Sequence, residues 1–230
     1  ADRVGVEVLQ KDGSYLNLSG NQIGAIMAKY ILEAHKNAGT LPENAALCKS
    51  IVSTDLVTKI AESYGATMFN VLTGFKFIAE KIQEFEEKHN HTYMMGFEES
   101  FGYLIKPFVR DKDAIQAVLV VAELAAYYRS RGLTLADGIE EIYKEYGYYA
   151  EKTISVTLSG VDGAEQIKAI MAKFRNNAPK EWNATEITVV EDFKAQTSTA
   201  ADGTVTTLTT PPSDVLKYTL ADGSWIAVRP

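Results

Sequence analysis

Two carboxylates and a hydroxyl lie together on a short segment, residues 96–103, that follows an apolar strand pattern. The segment reads Gly-Phe-Glu-Glu-Ser-Phe-Gly-Tyr, so that glycines bracket Glu98, Glu99 and Ser100. Open α/β sheets bind ligands at the carboxyl ends of their strands, and an ionised carboxylate accepts the hydrogen bonds that sugar hydroxyls donate. The alternative is a helix start, at which acidic side chains complement the helix dipole. The residue types alone leave both interpretations open.

Two further segments combine a helix start with basic side chains. In residues 73–77, Thr-Gly-Phe-Lys-Phe, free backbone N–H groups would favour an anion and Lys76 would add positive charge. The spacing is not that of a nucleotide-binding P-loop. In residues 109–113, Arg110 and Lys112 could face a phosphate-bearing ligand, or either aspartate could cap the following helix. An ordinary capped helix start remains the simpler interpretation of both segments.

The elements that would position these segments alternate between strands and helices. Apolar spacing predicts helices over 21–37, 54–64, 73–90, 111–131 and 133–146, and strands over 47–52, 67–72 and 92–97, with 111–131 as the longest helix. Strands that alternate with helices of this length form layered α/β domains. We therefore expect an α/β fold, with a three-layer αβα domain built on a mixed sheet.

The character of the chain changes after Gly147, where strand patterns become more frequent. The sequence predicts strands over 152–158, 187–191, 205–208, 215–220 and 225–228, and a helix over 163–177. Asp202-Gly203 and Asp222-Gly223 are typical of hairpin turns. We expect an incomplete α+β domain from about residue 150 onward.

Composition excludes several classes of function. The 230 residues carry a formal net charge of −7, so the chain lacks the basic surface that nucleic acids require. No apolar run approaches the ~18 residues of a membrane span, and the single cysteine, Cys48, allows no intrachain disulfide. We expect a cytoplasmic protein without nucleic-acid or membrane partners. Since the chain starts and stops beside strand patterns, we also expect it to be part of a longer protein.

Five segments in their order along the chain resemble the α-D-phosphohexomutase family. They are Ala1-Asp2-Arg3, Thr73-Gly74-Phe75-Lys76, Gly96-Phe97-Glu98-Glu99-Ser100, Arg110-Asp111-Lys112-Asp113 and Arg229-Pro230. The third is the most diagnostic, and the nearest branch resembles bacterial phosphoglucomutase. The resemblance implies a four-domain parent, in which residues 1–14 are the tail of the second domain, 15–149 the third and 150–230 a truncated fourth.

The resemblance also implies roles for individual residues. It assigns substrate binding to Thr73, Gly74, Glu98, Ser100 and Arg229, catalysis to Lys112, and metal binding to Asp2. Glu98 and Ser100 would contact sugar hydroxyls, while Lys112 would act as a phosphate contact or a proton-transfer group. In the family, the first domain carries a phosphoserine and the second holds Mg²⁺ on an aspartate-rich loop.

The activity that the resemblance implies is the interconversion of glucose 1-phosphate and glucose 6-phosphate through the phosphoserine and a bisphosphorylated sugar. The intact parent would use Mg²⁺ and a hexose 1,6-bisphosphate activator. This chain contains no phosphoserine loop, so we expect it to be inactive alone and to bind neither cofactor. Its partners would be a phosphosugar and the preceding domains. The alternatives are a mutase for mannose, pentose or glucosamine phosphates, or a non-catalytic phosphosugar-binding module.

Overall fold

The chain divides into two compact units, Ala1–Glu151 and Lys152–Pro230. The computed structural model describes the backbone of all 230 residues and every side chain except that of Val161. The elements of the first unit are β1 (Val6–Leu9), β2 (Tyr15–Leu18), α1 (Gly20–Asn37), β3 (Ala45–Ser50), α2 (Leu56–Ser63), β4 (Thr67–Val71), α3 (Phe75–Lys88), β5 (Thr92–Glu98), β6 (Gly102–Leu104), α4 (Ala114–Ser130) and α5 (Leu135–Tyr146).

The first unit is the three-layer αβα domain that the sequence predicts. Its four-stranded sheet has the order β4-β3-β5-β6. Strand β3 runs parallel to β4 and β5, while β6 is antiparallel to β5, so the sheet is mixed. Helix α3 covers one face of the sheet, and α1, α2, α4 and α5 contribute to the core on the other. A separate antiparallel hairpin, β1-β2, precedes α1.

The central strand β3 is buried at all six positions because helices cover both of its faces. Successive side chains of a strand point to opposite faces. Ala45 and Leu47 accordingly lie in the larger core, while Ala46 and Cys48 pack in the smaller core beneath α3. The smaller core is filled by one apolar face of α3, whose buried side chains recur at helical spacing.

The second unit is an antiparallel sheet with one helix. Its elements are α6 (Gly160–Asn176), β7 (Glu181–Trp182), β8 (Thr185–Asp192), β9 (Thr197–Ala200), β10 (Val205–Thr207), β11 (Leu216–Leu220) and β12 (Trp225–Val228). The sheet order is β10-β9-β8-β11-β12, with β7 paired to β8. Met171 of α6 packs in a core with Ile187 and Tyr218. The two predicted hairpin turns connect β9 to β10 and β11 to β12.

The predicted strand over residues 152–158 is wrong. These residues adopt no regular structure, and Ile154 and Val156 are 77% and 72% exposed. Alternating apolar residues form a strand only where a neighbouring strand accepts their backbone hydrogen bonds, and none of the strands that the structure describes pairs with this segment.

The longest helix is also not the predicted one. Helix α1 has 18 residues, whereas α4 has 17 because it begins only at Ala114. Asp113 caps α4 by accepting hydrogen bonds from the backbone N–H groups of Ile115 and Gln116. The start of α4 is therefore three residues later than the apolar pattern predicts. Over the described residues, no helix is both long and apolar enough to cross a membrane.

We predict that Cys48 resists alkylation in the folded chain. Its side chain is fully buried in the smaller core, and burial raises the pKa of the thiol to about 12. Only the thiolate reacts, so a maleimide at neutral pH should label native Cys48 at least about 100-fold more slowly than the urea-unfolded chain. Mass spectrometry of the labelled chain measures both rates, and equal rates would contradict the packing around β3.

Candidate functional site

The carboxyl ends of β3, β4 and β5 meet at one edge of the first sheet. The connection from β3 to β4 passes through α2 on one face, and the connection from β4 to β5 passes through α3 on the other. The chain thus connects β3 to neighbours on its two sides, so that a topological switch point lies between the ends of β3 and β5. Such a switch point is where open α/β sheets bind ligands.

A buried carboxylate connects two loops at this edge. Glu98, at the end of β5, is only 5% exposed, and its Oε1 accepts a hydrogen bond of 2.6 Å from the backbone N–H of Gly74. Gly74 precedes α3 and has a φ of 123°, a conformation that favours glycine. The anion expected at the start of this helix is therefore the carboxylate of Glu98, which the helix dipole also stabilises. Glu98 Oε2 accepts no hydrogen bond within the described part of the chain.

The next residue ties the loop after β5 to the loop after β3. Glu99 Oε2 accepts hydrogen bonds from Ser50 Oγ at 2.9 Å and Ser53 Oγ at 3.2 Å. The backbone N–H of Glu99 donates in turn to Ser53 Oγ at 3.1 Å. Both serines are buried. Sequence reasoning did not assign them to the site, because their contacts with Glu99 join positions 49 and 46 residues apart in the sequence.

A buried ion pair fixes the shape of the loop after β3. Lys49 is completely buried, and its Nζ lies 2.9 Å from Asp55 Oδ1 and donates to the Ser53 carbonyl at 3.1 Å. A buried ammonium group is stable only when it is paired. Since these bonds hold Ser53 in place, Lys49 supports the anchor of Glu99.

Helix α1 packs directly behind the loop after β5. A Cβ atom on Gly20, the first residue of α1, would lie 2.0 Å from the carbonyl oxygen of Glu99. Tyr103 Oη also donates to the Gly20 carbonyl at 3.0 Å. Ser19 and Gln22 form a capping box at this helix start, so the backing surface is itself well fixed.

Lys112 lies beside the same edge. Its aliphatic stem packs over Gly102, where a Cβ would come within 2.2 Å of the lysine Cδ, and Gly102 pairs with Glu98 in the sheet. The Lys112 Nζ is 2.9 Å from Asp111 Oδ1 and 5.3 Å from the centroid of the Phe75 ring, which follows Gly74. The hydrogen bond from Lys112 lowers the pKa of Asp111. The arrangement places Lys112 over Gly102, the residue that pairs with Glu98 in the sheet.

The segment at the start of the chain joins this edge through β6. Arg3 forms an isolated β-bridge with Gly102, and the backbone N–H of Val4 donates to the Phe101 carbonyl at 3.1 Å. Asp2 is exposed, and its Oδ2 is 3.8 Å from Arg3 Nε. Among the described residues, no group of three or more His, Cys, Asp or Glu side chains could hold a metal ion. Since Mg²⁺ requires several oxygen ligands, the residues of this chain do not by themselves fit it.

The predicted site residues divide between the two units. Thr73, Gly74, Glu98, Ser100, Lys112 and Asp2 lie on segments at the edge of the first sheet. Thr73 Oγ1 is buried and, in the part of the chain that is described, has no hydrogen-bond partner. Arg229 is exposed in the second unit, directly after β12. Arg110, the other candidate phosphate contact, forms an ion pair with Glu86 instead.

Comparison with known proteins identifies the family. A family profile described as phosphoglucomutase/phosphomannomutase, alpha/beta/alpha domain III, matches residues 19–146. The chain therefore belongs to the phosphoglucomutase/phosphomannomutase family. The phosphoglucomutase of Staphylococcus aureus strain bovine RF122 is 36% identical over 231 aligned residues, as is that of Staphylococcus epidermidis strain RP62A. Each alignment covers 100% of this chain and 41% of the relative, so the chain spans about two fifths of the relatives' length.

Solved structures show the same fold at lower sequence identity. A phosphoglucomutase from Paramecium, pp63/parafusin in an open form, has a TM-score of 0.59 at 17% identity, covering 100% of this chain and 36% of that one. A phosphoglucomutase/phosphomannomutase family protein from Burkholderia thailandensis has a TM-score of 0.52 at 14% identity, covering 96% and 38%. Both similarities extend over most of the two units.

We predict that Gly20→Ala displaces the loop after β5 and destabilises the first unit. The new methyl group would overlap the Glu99 carbonyl, and overpacking of this kind costs about 1–3 kcal/mol. Urea denaturation followed by circular dichroism measures the loss. Gly5→Ala is the matched control, because a Cβ at Gly5 meets no atom within 4 Å. Equal stability of the two variants would contradict the close approach of α1 to this loop.

Proposed function

We propose that this chain is the sugar-recognition part of a phosphoglucomutase that interconverts glucose 1-phosphate and glucose 6-phosphate. The observation that carries the proposal is Glu98, a nearly buried carboxylate at the switch point. One of its oxygens is held by Gly74, and the other has no hydrogen-bond partner among the described residues. An ionised carboxylate oxygen only accepts hydrogen bonds, and the hydroxyl groups of a sugar can donate them. The names of the relatives at 36% identity support glucose phosphates as substrates.

The proposal gives each unit a separate task. Residues 1–14 would be the tail of a metal-loop domain, 15–149 the sugar-recognition domain and 150–230 part of a phosphate-binding domain. Arg229 would contact the phosphate that does not react, because guanidinium groups bind phosphate oxygens in a bidentate manner. The profile match to a third domain supports this division.

Within the sugar-recognition domain, Ser100 and Thr73 would add hydroxyl contacts beside Glu98. Lys112 would stabilise a phosphoryl oxygen or transfer a proton near the acceptor hydroxyl. Asp111 holds the Lys112 ammonium in position through an ion pair. A positioned positive charge suits phosphoryl transfer, which depends chiefly on positioning and on neutralisation of charge. Mg²⁺ would supply further neutralisation in the longer protein, where Asp2 could provide one of several ligands.

We predict that Glu98→Gln in the longer parent enzyme lowers kcat/KM for glucose 1-phosphate by about 10- to 100-fold. The amide oxygen of Gln can still accept the Gly74 N–H, so the loop stays tied, while the charged acceptor for the sugar is lost. Hydrogen bonds to charged groups contribute about 1.5–3 kcal/mol. The measurement is a coupled assay of glucose 6-phosphate formation.

Glu80→Gln is the control for that experiment, because Glu80 is exposed on α3 and its substitution makes the same change in charge. Unchanged kcat/KM in both variants would remove Glu98 from the site. Parallel assays with mannose, pentose and glucosamine phosphates distinguish the related mutases. Phosphosugar binding without turnover of any of them would favour a non-catalytic binding module.

We also predict that the 230-residue chain has no mutase activity alone, because the phosphoserine that donates the phosphoryl group would lie on another domain. The measurement is the same coupled assay with Mg²⁺ and glucose 1,6-bisphosphate present. Turnover that rises in proportion to the concentration of this chain would contradict the proposed division of labour.

A further inference from the structure

Helix α4 is apolar on both of its long sides. One side packs in the larger core through Ala117, Leu124 and Tyr128. The other side, which we call the α4 outer face, consists of Ile115, Val118, Leu119, Ala122 and Ala126, all of them exposed. These positions recur at helical spacing and form one continuous stripe. A helix that is hydrophobic all round is normally buried on both sides.

The exposure of this face is larger than scattered surface residues would produce. Ile115 is 76% exposed and Leu119 is 70% exposed. Phe108, also exposed, extends the apolar surface from the preceding loop, which Gln116 fastens to α4 through hydrogen bonds to the backbone of Lys106. Contiguous apolar patches of this kind mark interaction surfaces.

We propose that the α4 outer face is covered by the polypeptide that precedes residue 1 in the longer parent protein. This proposal shares one assumption with the proposed function, namely that a longer parent protein exists. The chain spans 41% of the length of the curated relatives, and its matching profile is named as the third domain. Earlier domains therefore exist in the relatives, and they are large enough to cover a helix of 17 residues.

The first residues of the chain lie beside the strand that supports the start of α4. Arg3 is bridged to Gly102 of β6, and Asp113, the residue that caps α4, donates its backbone N–H to the carbonyl of Tyr103, also in β6, at 2.9 Å. The chain before residue 1 thus emerges beside the strand that fixes the start of α4. Ile115, Val118 and Leu119 lie in the first two turns of that helix.

The chemistry of the face is that of a protein interface core. It contains no charged side chain; Glu123, the one acidic residue of α4, lies on the flank toward α1, where it accepts a hydrogen bond from Tyr30 Oη at 2.8 Å. Depletion of charge and enrichment in large apolar side chains characterise the buried centre of protein interfaces. We therefore expect an apolar surface of the preceding domain to pack here.

Cysteine labelling tests the proposal without relying on turnover. Leu119→Cys is prepared in the 230-residue chain and in the longer parent, and a maleimide is applied to both. Mass spectrometry of the peptide that contains residue 119 gives the labelling rate. We expect labelling to be at least about tenfold slower in the parent, because modification there requires local opening of the interface. Glu80→Cys, on the other side of the sheet, is the control and should label equally in both chains.

Equal labelling of residue 119 in the two chains would overturn the proposal, whether or not the parent proves to be a mutase. Slow labelling in the 230-residue chain itself would also overturn it. If labelling in the 230-residue chain is slow, a rate that falls further as the chain is concentrated would assign the face to a second copy, and a slow rate that does not change with concentration would assign it to residues 152–230. Val118→Cys repeats the experiment if Leu119→Cys does not fold.

Discussion

The hydrogen bond between the Gly74 N–H and the carboxylate of Glu98 is the constraint on which the site depends. It spans 2.6 Å between the end of β5 and the segment that leads from β4 into α3, and it holds a carboxylate that is almost removed from water. A buried carboxylate requires such a partner, and the start of α3 supplies both the donor and a favourable dipole. The orientation of the Glu98 side chain is thereby fixed by the protein itself.

The remaining contacts at this edge act as supports for that arrangement. Glu99 is held by the two serines of the loop after β3, which the Lys49–Asp55 ion pair shapes in turn. Gly20 allows α1 to press against the back of the loop. Because each support belongs to a helix or strand end, the proposed sugar-binding surface would be preorganised, and binding there would incur little ordering entropy.

Sequence patterns predicted the layers well, because apolar spacing reports which faces are buried. They failed where the outcome depends on distant residues: segment 152–158 has the alternation of a strand but no neighbouring strand to pair with. Thr73, Gly74, Glu98 and Lys112 were predicted as site residues from the resemblance, and the structure places them at one edge of the first sheet. The roles of Ser50, Ser53 and Gly20 could not be predicted, since they arise from contacts across 46 or more positions of sequence.

The exposed outer face of α4 fits the proposal that this chain belongs to a longer protein. The most direct test of the central claim is a crystal structure of the longer enzyme with glucose 1-phosphate. Our account predicts that Glu98 Oε1 keeps the Gly74 N–H while Oε2 accepts a sugar hydroxyl within about 3 Å. A bound sugar that leaves Glu98 Oε2 without contact, or that displaces Gly74 from Oε1, would contradict it.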